Sequence, residues 1–453
     1  MKLDPLHWEI SSTIDLGIYL DKYPPKFNYK IDHFCFILEY LAIGMERGDV
    51  DKNEGYVNVN AAKLQSRIRN YKQYLDHMLN HKLILTDGRY VKGEKSKGYL
   101  ICGYGSIDST TINSIPIIDN IVKKNRRKDI KDYNSKLEKT AKRYKYLTKW
   151  FNKDLKIDYA IAREKILELY PPYTRPIGGK KWKKASRYTK ILIASQALFK
   201  FHKQQFYYHV DDNVRRFHSN LTNFKKELRN YITYNNNLLI NIDIRNSQPL
   251  FSLILLNKEF YNSKSSHNIY QYSHIFSTIP SITTNGFSLM LVKHLQNTDN
   301  EVFNEYVDMV NSGEFYKRIS DKIFPEREFN KKNIKEMIFT VLFSDNRFIG
   351  QTEADSKMAF KTHFPDVYKV FSLIKKKDKT ILARILQMIE SDIIINRVSK
   401  RISREKPEIP IFTIHDSVAT IIGYEDYVAK IITEEVKNFT DLDVKLGYEY
   451  WKP

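Results

Sequence analysis

Two aspartates stand where strand-like segments of the sequence end. The apolar run Asn237 to Ile242 is followed by Asp243, and a second apolar run delivers Asp416 at the tip of a predicted β-hairpin. Alone, an aspartate in such a place is more often a turn or cap residue than a metal ligand. Together, on the ends of neighbouring strands, the two carboxylates predict a site for two Mg²⁺ ions about 4 Å apart, as in-line nucleotidyl transfer requires.

A predicted helix between these aspartates, Asn330 to Ser344, carries cations and rings at a spacing of four residues: Lys331, Lys335, Phe339 and Phe343. Residues four apart share one face of a helix. Two ammonium groups followed by two rings could hold a triphosphate at one end and a base at the other. The alternative is a basic amphipathic surface helix whose two phenylalanines lie in the core, and the segment taken in isolation favours that alternative.

The composition indicates a folded protein with a polyanionic partner. The 453 residues include 74 Lys and Arg against 53 Asp and Glu, and the excess is clustered, which favours nucleic acid as the partner. The two cysteines, Cys35 and Cys102, have no metal-type spacing and indicate a reducing compartment. The N-terminus has no signal-peptide pattern and no apolar run reaches membrane-spanning length, so we expect a cytoplasmic protein without a membrane partner.

The pattern of predicted helices and strands in residues 1–105 indicates a separate small domain. Their order of helix, strand, two tightly joined helices and basic hairpin is typical of a winged helix-turn-helix. The second helix of the pair would present residues 71–74 to a groove, and the hairpin loop would be a wing on the phosphates. The alternative is a protein–protein module whose hairpin lysines are simply solvated. The predicted wing lysines are Lys92, Lys95 and Lys97.

Residues 106–204 predict a basic helical linker or thumb-like region. The stretch from Ile121 to Asp158 mixes lysine, arginine and tyrosine, a composition that can follow a nucleic-acid backbone and stack on bases. A charged linker helix with ordinary solvated faces explains the same pattern equally well.

From about residue 205 to residue 453, the order of the segments resembles the polymerase domain of family A DNA polymerases and of the related single-subunit RNA polymerases of phages and mitochondria. The segments that carry the resemblance are the Arg215–Ser219 region with Arg229, the strand ending at Asp243, the Lys331–Phe343 helix, the Gln387–Ile393 segment, the His415-Asp416 pair, and the closing run Val444–Trp451.

The resemblance implies an α+β fold: a right-hand polymerase with an antiparallel palm sheet and helical fingers, preceded by the winged-helix-like domain and the helical linker. It implies that Asp243 and Asp416 hold Mg²⁺. It also implies that Lys335, helped by Lys331, neutralises the triphosphate, and that Phe343, together with Phe339, packs at the nucleotide. The implied contacts with primer and template belong to Arg216, Arg229, Gln387 and His415.

Departures from the family pattern bear on the choice of sugar. Gln248 stands five residues after Asp243, where the DNA enzymes have glutamate, and a bulky side chain there would crowd a 2′-hydroxyl. Phe343 stands where the family pattern has tyrosine, and Ser344 stands where it has glycine. Ser417, directly after Asp416, is similar to the residue at this position in the RNA enzymes. Taken together, these departures favour deoxynucleotides over ribonucleotides as substrates. No carboxylate cluster of the proofreading type precedes the palm, so we expect no 3′–5′ exonuclease.

The sequence therefore predicts a template-directed DNA polymerase of a phage or mobile element, with two Mg²⁺ ions as cofactor. Its expected partners are a DNA template and primer, with RNA as the alternative, and nucleoside triphosphates. Two other functions stay open. One is a single-subunit DNA-dependent RNA polymerase. The other is a non-catalytic replication initiator or DNA-binding regulator that keeps the palm as a scaffold.

Overall fold

The structure, a computed structural model, is a mixed α+β protein with antiparallel sheets. Within the part of the chain that it describes, no helix is long and apolar enough to cross a membrane. The described residues are 6–47, 56–91, 95–102, 110–171, 187–262, 264–265, 267–276, 285–298, 301–348 and 353–453.

The strands are short. In chain order they are β1 (His7–Ser11), β2 (Val57–Asn58), β3 (Ile84–Thr86), β4 (Gly98–Ile101), β5 (Ile112–Pro116), β6 (Leu155–Ile157), β7 (Tyr208–Val210), β8 (Phe217–Ser219), β9 (Ile232–Tyr234), β10 (Asn237–Ile244), β11 (Phe412–Ile414), β12 (Ser417–Ile421) and β13 (Leu446–Trp451).

The helices make up most of the regular structure. They are α1 (Leu16–Lys22), α2 (Ile31–Arg47), α3 (Ala61–Gln65), α4 (Tyr71–Asn80), α5 (Asn120–Arg143), α6 (Lys145–Thr148), α7 (Tyr159–Leu169), α8 (Arg187–His202), α9 (Asn220–Asn223), α10 (Lys226–Arg229), α11 (Ser247–Leu256), α12 (Asn285–Leu295), α13 (Glu301–Asn311), α14 (Phe315–Ile323), α15 (Lys331–Phe343), α16 (Ala354–His363), α17 (Pro365–Ile374), α18 (Ile381–Ser391), α19 (Lys400–Glu405) and α20 (Glu425–Thr440). The described residues also contain two 3₁₀ turns, Lys258–Tyr261 and Ile269–Tyr272, and a π-helical segment, Asp392–Ser399.

The chain divides into two compact units. The first contains residues 1–209, 219–236 and 451–453, and the second contains residues 210–218 and 237–450. The domain boundaries expected from the sequence, at residues 105 and 204, stay a prediction.

The first unit contains the small three-stranded sheet β2–β4–β3 and the helices α2, α3 and α4 in the order that the sequence predicts. Its apolar cluster extends from Trp8 through α2 and α4 to Tyr188 in α8, and so includes residues on both sides of position 105. Two expectations need correction here. Tyr74, expected at a groove, is 1% exposed and belongs to the core. The basic helix α5 ends at Arg143, and Leu155–Ile157 is a strand paired with β9.

The second unit is built on a sheet in which β11, β12 and β10 are neighbours and β13 pairs with β10. β11 and β12 form a hairpin, and β12 runs antiparallel to β10 from Leu239 to Asp243. The central strand β10 is buried over most of its length, which explains its apolar sequence. Helix α11, buried throughout and mostly apolar, begins four residues after Asp243 and packs against α18.

Helix α18 continues into the π-helical segment Asp392–Ser399. Asp392 is buried there, and its carboxylate accepts hydrogen bonds from Asn396 Nδ2 at 2.9 Å and Arg397 Nε at 3.1 Å. Asparagine and arginine on the same segment thus supply the donors that a buried carboxylate requires.

Two buried lysines hold the C-terminal end of helix α15 and the segment that follows it. Lys375 is 3% exposed, and its Nζ donates to the carbonyls of Val341, at 2.6 Å, and Ser344, at 3.0 Å. Lys357 Nζ donates to the carbonyls of Asp345, at 3.0 Å, and Arg347. Helix ends leave carbonyl groups without partners in the helix, and a lysine amine is a suitable donor for them. Burial, followed by the nearby charge of Lys357, lowers the pKa of Lys375 to about 8.

We expect the stability contributed by Lys375 to depend on pH. Its pKa is about 8 in the fold against an ordinary 10.5, so the unfolded chain binds more protons between these values. The contribution is therefore complete above pH 10.5 and is lost as the pH falls through 8. Lys375→Met, which leaves two carbonyls without a donor, should cost about 1–3 kcal/mol.

Thermal unfolding followed by circular dichroism at pH 7 and pH 10 measures this effect. The difference in Tm between the wild-type protein and Lys375→Met should be larger at pH 10. Lys376 is the matched control, because it is adjacent and exposed, and Lys376→Met should change Tm little. A Tm difference for Lys375→Met that is equal at both pH values would contradict the assignment.

Candidate active site

The pairing of β10 with β12 brings Asp243 and Asp416 to the same end of neighbouring strands. Asp243 is the register partner of Ser417, the residue after Asp416. The amide of Ile244 donates to the carbonyl of Asp416 at 3.2 Å, so the backbone of one aspartate is tied to the residue after the other. Both aspartates are half-buried. The sequence expectation that the two would meet at neighbouring strand ends therefore agrees with the backbone.

His415 and Asp416 form the two-residue turn between β11 and β12, with Ile414 opposite Ser417. His415 has a φ of 56°, in the region that favours glycine. Its ring is exposed and lies 6.3 Å from the ring of His218, centroid to centroid, in an edge-on arrangement. Two-residue hairpins require positive φ, and asparagine or glycine would supply it with less strain. Backbone strain at such a position is typical of functional sites.

His218 is itself held by a carboxylate. Its Nε2 lies 3.3 Å from Asp211 Oδ2. Asp211 also accepts from the amides of Val214, at 2.8 Å, and Arg216, at 2.9 Å. Burial alone would raise the pKa of Asp211, but the His218 ring and these N–H groups lower it to about 2. The carboxylate therefore stays charged and fixes the ring that faces His415.

A hydrogen-bond chain leads from Asp416 into the interior of the second unit. Ser247, the first residue of α11, places its Oγ 2.6 Å from Asp416 Oδ2 and 3.4 Å from Glu390 Oε2. Glu390 is 1% exposed. Its Oε1 accepts from Arg216 Nε at 3.1 Å and Nη2 at 2.5 Å, and its Oε2 accepts from Gln248 Nε2 at 2.5 Å. One buried carboxylate thus connects three side chains, those of Arg216, Ser247 and Gln248, next to the aspartate pair.

The charge of Asp416 contributes to a raised pKa in two neighbouring groups. Burial, followed by repulsion from Asp416, raises the pKa of Glu390 to about 7, against the opposing effects of Arg216 and Gln248. Burial and the same aspartate raise the pKa of Tyr316 to about 12, so this phenol on α14 stays neutral. Both shifts favour the neutral forms of groups next to Asp416.

Sequence reasoning missed Glu390 and Ser247. Arg216 and Gln248, which it assigned to nucleic acid and nucleotide, both donate to Glu390. An acid inside the apolar run of α18 was the available signal, but Gln248 and Arg216 lie 142 and 174 positions away from it. No local pattern reports a contact at that separation.

Gly447 on β13 lies against Asp243. A Cβ atom at this position would stand 2.6 Å from Asp243 Oδ1 and 3.1 Å from Oδ2. Real Cβ atoms do not approach a carboxylate so closely, so the position of the Asp243 side chain depends on the absence of a side chain at 447. The glycine forms a cradle for one of the two candidate ligands.

The donor set suits Mg²⁺ bound jointly by protein and substrate. The described residues contain no group of three or more His, Cys, Asp or Glu side chains that could hold a metal by themselves. Asp416 keeps Oδ1 for a ligand, since Ser247 engages Oδ2. Magnesium in phosphoryl-transfer sites takes one or two carboxylates plus phosphate oxygens and water. Asp243 and Asp416 fit that requirement, with two Mg²⁺ ions as the expected number.

Helix α15 carries the predicted cation and ring positions on one face. Lys331 and Lys335 are exposed, and Lys335 Nζ lies 5.3 Å from the Phe339 ring centroid. The rings of Phe339 and Phe343 are 5.3 Å apart, centroid to centroid. Both are half-buried, while the core face of the helix is formed by Ile334, Met337, Ile338, Val341 and Leu342. The phenylalanines therefore border the core without filling it.

The remaining predicted residues are spread over both units. Gln387 is half-buried on α18 in the second unit. Arg229, in the first unit, donates through Nη2 to the carbonyls of Leu221, at 3.1 Å, and Phe224, at 3.2 Å. Lys95 pairs with Asp87 at 3.0 Å, and Lys97 is exposed. Lys92 lies outside the described residues. Their nucleic-acid roles stay predictions.

No family model matches the sequence, and no curated protein matches it. One solved structure to which the chain is similar is the POL domain of Pol1 from M. smegmatis, in complex with DNA primer-template and dNTP. The identity is 10%, the TM-score is 0.40, and the match covers 73% of each chain. The primer-template and the dNTP belong to that protein's complex.

Gly447→Ala tests the cradle around Asp243. The added methyl group should displace the Asp243 carboxylate, so Mg²⁺ binding measured by calorimetry should weaken by about tenfold or more, the scale for a perturbed metal-supporting residue. Tyr448→Ala is the control, because Tyr448 is adjacent on β13 and 50% exposed. Unchanged Mg²⁺ affinity in a folded Gly447→Ala protein would show that Asp243 does not hold the ion.

Proposed function

We propose that the chain is a template-directed nucleotidyltransferase, a DNA polymerase of the family A type, and that Asp243 and Asp416 form its catalytic centre. The observation that supports this proposal is the β10–β12 register, in which Asp243 pairs with Ser417, the residue after Asp416. When bound there, two Mg²⁺ ions would supply the charge neutralisation that phosphoryl transfer needs. The proposal includes the assignment of this sheet as the palm of the polymerase and of α15 as a helix of the fingers.

Each predicted residue would contact the part of the nucleotide or of the primer-template that suits its side chain. Lys331 and Lys335 present ammonium groups without a described carboxylate partner, and such groups bind phosphate oxygens. Phe339 and Phe343 offer half-buried rings on which a base can stack. His415, exposed at the hairpin tip and backed by His218, would contact the primer end. Gln387 and Arg216 would lie along the primer-template, and Arg229 would support the primer-binding region.

A sugar preference for deoxynucleotides is part of the proposal. Gln248 follows the strand of Asp243 at the start of α11 and is 6% exposed, held by Glu390. A fixed, bulky side chain at this position would crowd a 2′-hydroxyl. Product formed from ribonucleotides alone, without a primer, would favour the RNA polymerase alternative instead. The proposal includes no proofreading exonuclease.

Asp416→Asn is the decisive variant. It keeps the shape of the side chain and an acceptor for Ser247 but removes the charge that would bind Mg²⁺. Primer extension with dNTPs and Mg²⁺ should fall by on the order of 10³-fold, the scale for loss of one electrostatic group at a reaction centre. Template binding should change by no more than about twofold, since phosphate contacts dominate affinity.

The control is Asp321→Asn, which removes an exposed carboxylate from α14 in the same unit and should leave extension unchanged. The panel should include DNA and RNA templates, each with dNTPs and with NTPs. Biological activity that survives in Asp243→Asn would overturn the enzyme proposal and favour a non-catalytic initiator or regulator. Extension that survives in both Asp243→Asn and Asp416→Asn would instead overturn the assignment of these two residues as the catalytic centre.

We also propose that the β3–β4 hairpin of the first unit contacts nucleic acid as a wing. Lys97 is exposed, whereas Lys95 is paired with the buried Asp87. Burial would raise the pKa of Asp87, but the Gly98 amide and Lys95 hold it below its usual value. Lys95 therefore supports the hairpin, and Lys97 is the better candidate for a phosphate contact.

Lys97→Ala should weaken DNA binding and lower the slope of log K against log salt by about 0.9, the value for one phosphate contact. Fluorescence anisotropy across a salt series measures this slope. Lys26→Ala, which removes an exposed lysine outside the hairpin, is the control for general charge loss. Equal slopes in the wild-type protein and Lys97→Ala would favour a protein–protein role for the hairpin.

A further inference from the structure

Helix α8 of the first unit ends in an aromatic ring that faces solvent. His202 is the last residue of α8, and the ring of Tyr159, the first residue of α7, stacks on it at 4.3 Å between centroids and 20° between planes. His202 is nevertheless exposed. A planar ring that is covered on one face and still exposed has its other face open, and no second ring of the described residues stacks on His202.

The supporting Tyr159 ring is itself held in place. Arg163, one turn later on α7, has its guanidinium carbon 5.6 Å from the centroid of the Tyr159 ring. The guanidinium is fixed in turn, because its Nε and Nη2 donate to the hydroxyls of Thr110 and Thr111, both at 2.9 Å. The Tyr159 ring therefore has a fixed neighbour, and it gives His202 a firm support.

The backbone after His202 fixes the end of the helix. Gln204 has a φ of 56°, in the left-handed region that favours glycine. The amides of Gln204 and of the next residue donate to carbonyls in the last turn of α8, each at 2.9 Å, which is the usual closure of a helix by a left-handed residue. Gln204 Nε2 also donates to the carbonyl of Lys153 at 3.3 Å. The end of α8 is thus tied to the segment before β6.

Three lysines of these segments are exposed. Lys203 follows His202 directly, Lys153 is the residue whose carbonyl Gln204 holds, and Lys156 lies on the outward side of β6. Within the described part of the chain, none of the three has a carboxylate partner. Ammonium groups attract backbone phosphates and an aromatic ring stacks on a base, so the combination is typical of surfaces that bind single-stranded nucleic acid.

The ring of His202 is suited to stacking on an uncharged base. Burial, followed by the charge of Lys203, holds the pKa of His202 below its usual value, so the imidazole is neutral at neutral pH. A neutral ring presents a π face to a planar partner. The bases of a duplex are already stacked on one another, whereas an unpaired base has a face to offer.

We propose that His202, supported by Tyr159, stacks on one unpaired base of a single-stranded nucleic acid whose phosphates lie along the three lysines. The inference goes beyond the proposed function, because this surface belongs to the first unit and uses neither Asp243 nor Asp416. It also differs from the proposed wing, which contacts phosphates and no base.

Fluorescence anisotropy with the full chain at neutral pH tests the stacking contact. A labelled single strand of about 12 nucleotides, within the usual range of site sizes, is compared with the same strand built from abasic sugars. The abasic strand keeps the phosphates and lacks the bases, so the ratio of the two Kd values measures base preference. His202→Ala should lower this ratio about five- to tenfold, the scale of one stacked base. His202→Phe should keep it, because a ring remains.

Two further variants separate the ring from its surroundings. Ile161→Ala removes an apolar side chain that is 47% exposed on α7, but no ring, and should leave the base preference unchanged. Lys203→Gln should weaken binding of both strands equally and lower the slope of log K against log salt by about 0.7, the value for one phosphate contact of a single strand.

An equal base preference in the wild-type protein and His202→Ala would overturn the inference and leave this surface to a protein partner. Loss of the preference in His202→Phe would overturn it as well, since the ring would then not be the binding feature. A third contrary result is equal weakening of the base-bearing strand, the abasic strand and a duplex in His202→Ala, which would mean that the residue is structural. None of these results depends on whether the chain extends a primer.

Discussion

The antiparallel pairing of β10 with β12 is the constraint on which the candidate site depends. It sets Asp243 opposite Ser417 and binds the Asp416 carbonyl to the Ile244 amide. The side-chain period of a strand is two, so a slip of one residue would turn Asp243 to the other face of the sheet. The buried residues of β10 oppose that slip, because it would exchange the side chains packed on the two covered faces of the strand. The core of the sheet thus determines where the carboxylates lie.

The proximity of the carboxylates has an electrostatic cost. Asp243 and Asp416 stand at one strand end, and Glu390 is buried one serine away from Asp416. Arg216 offsets part of the negative charge, but a buried ion pair is weak evidence for stability, since desolvation opposes its attraction. Apolar side chains of similar volume would stabilise the fold equally well. The network is better explained by the orientation that it imposes on Ser247, Gln248 and Arg216.

Much of the local structure could be predicted from the sequence, and the long-range contacts could not. The apolar run before Asp243, the hairpin around Asp416 and the helix from Lys331 to Phe343 all have clear periodicity, and each has the predicted type. Tyr74 was misassigned because a helix that is partly exposed offers no sign of which tyrosine enters the core. Glu390 could be recognised as an acid in an apolar helix, yet its partners are side chains 142 to 174 positions away. Such contacts are products of tertiary packing.

Helix α15 has two features that bear on a choice left open by the sequence, between a solvated amphipathic helix and a ligand-binding face. A solvated amphipathic helix needs no anchor at its C-terminal end, but Lys375 is buried to hold the carbonyls of Val341 and Ser344. Anchoring of this kind keeps the last turn wound, so Phe343 retains its distance from Phe339 and from the lysines two and three turns before it. Both rings are half-buried at the border of a core that other residues already fill. A face with fixed spacing and incompletely covered rings is consistent with the proposed role of α15 in binding a planar, charged ligand.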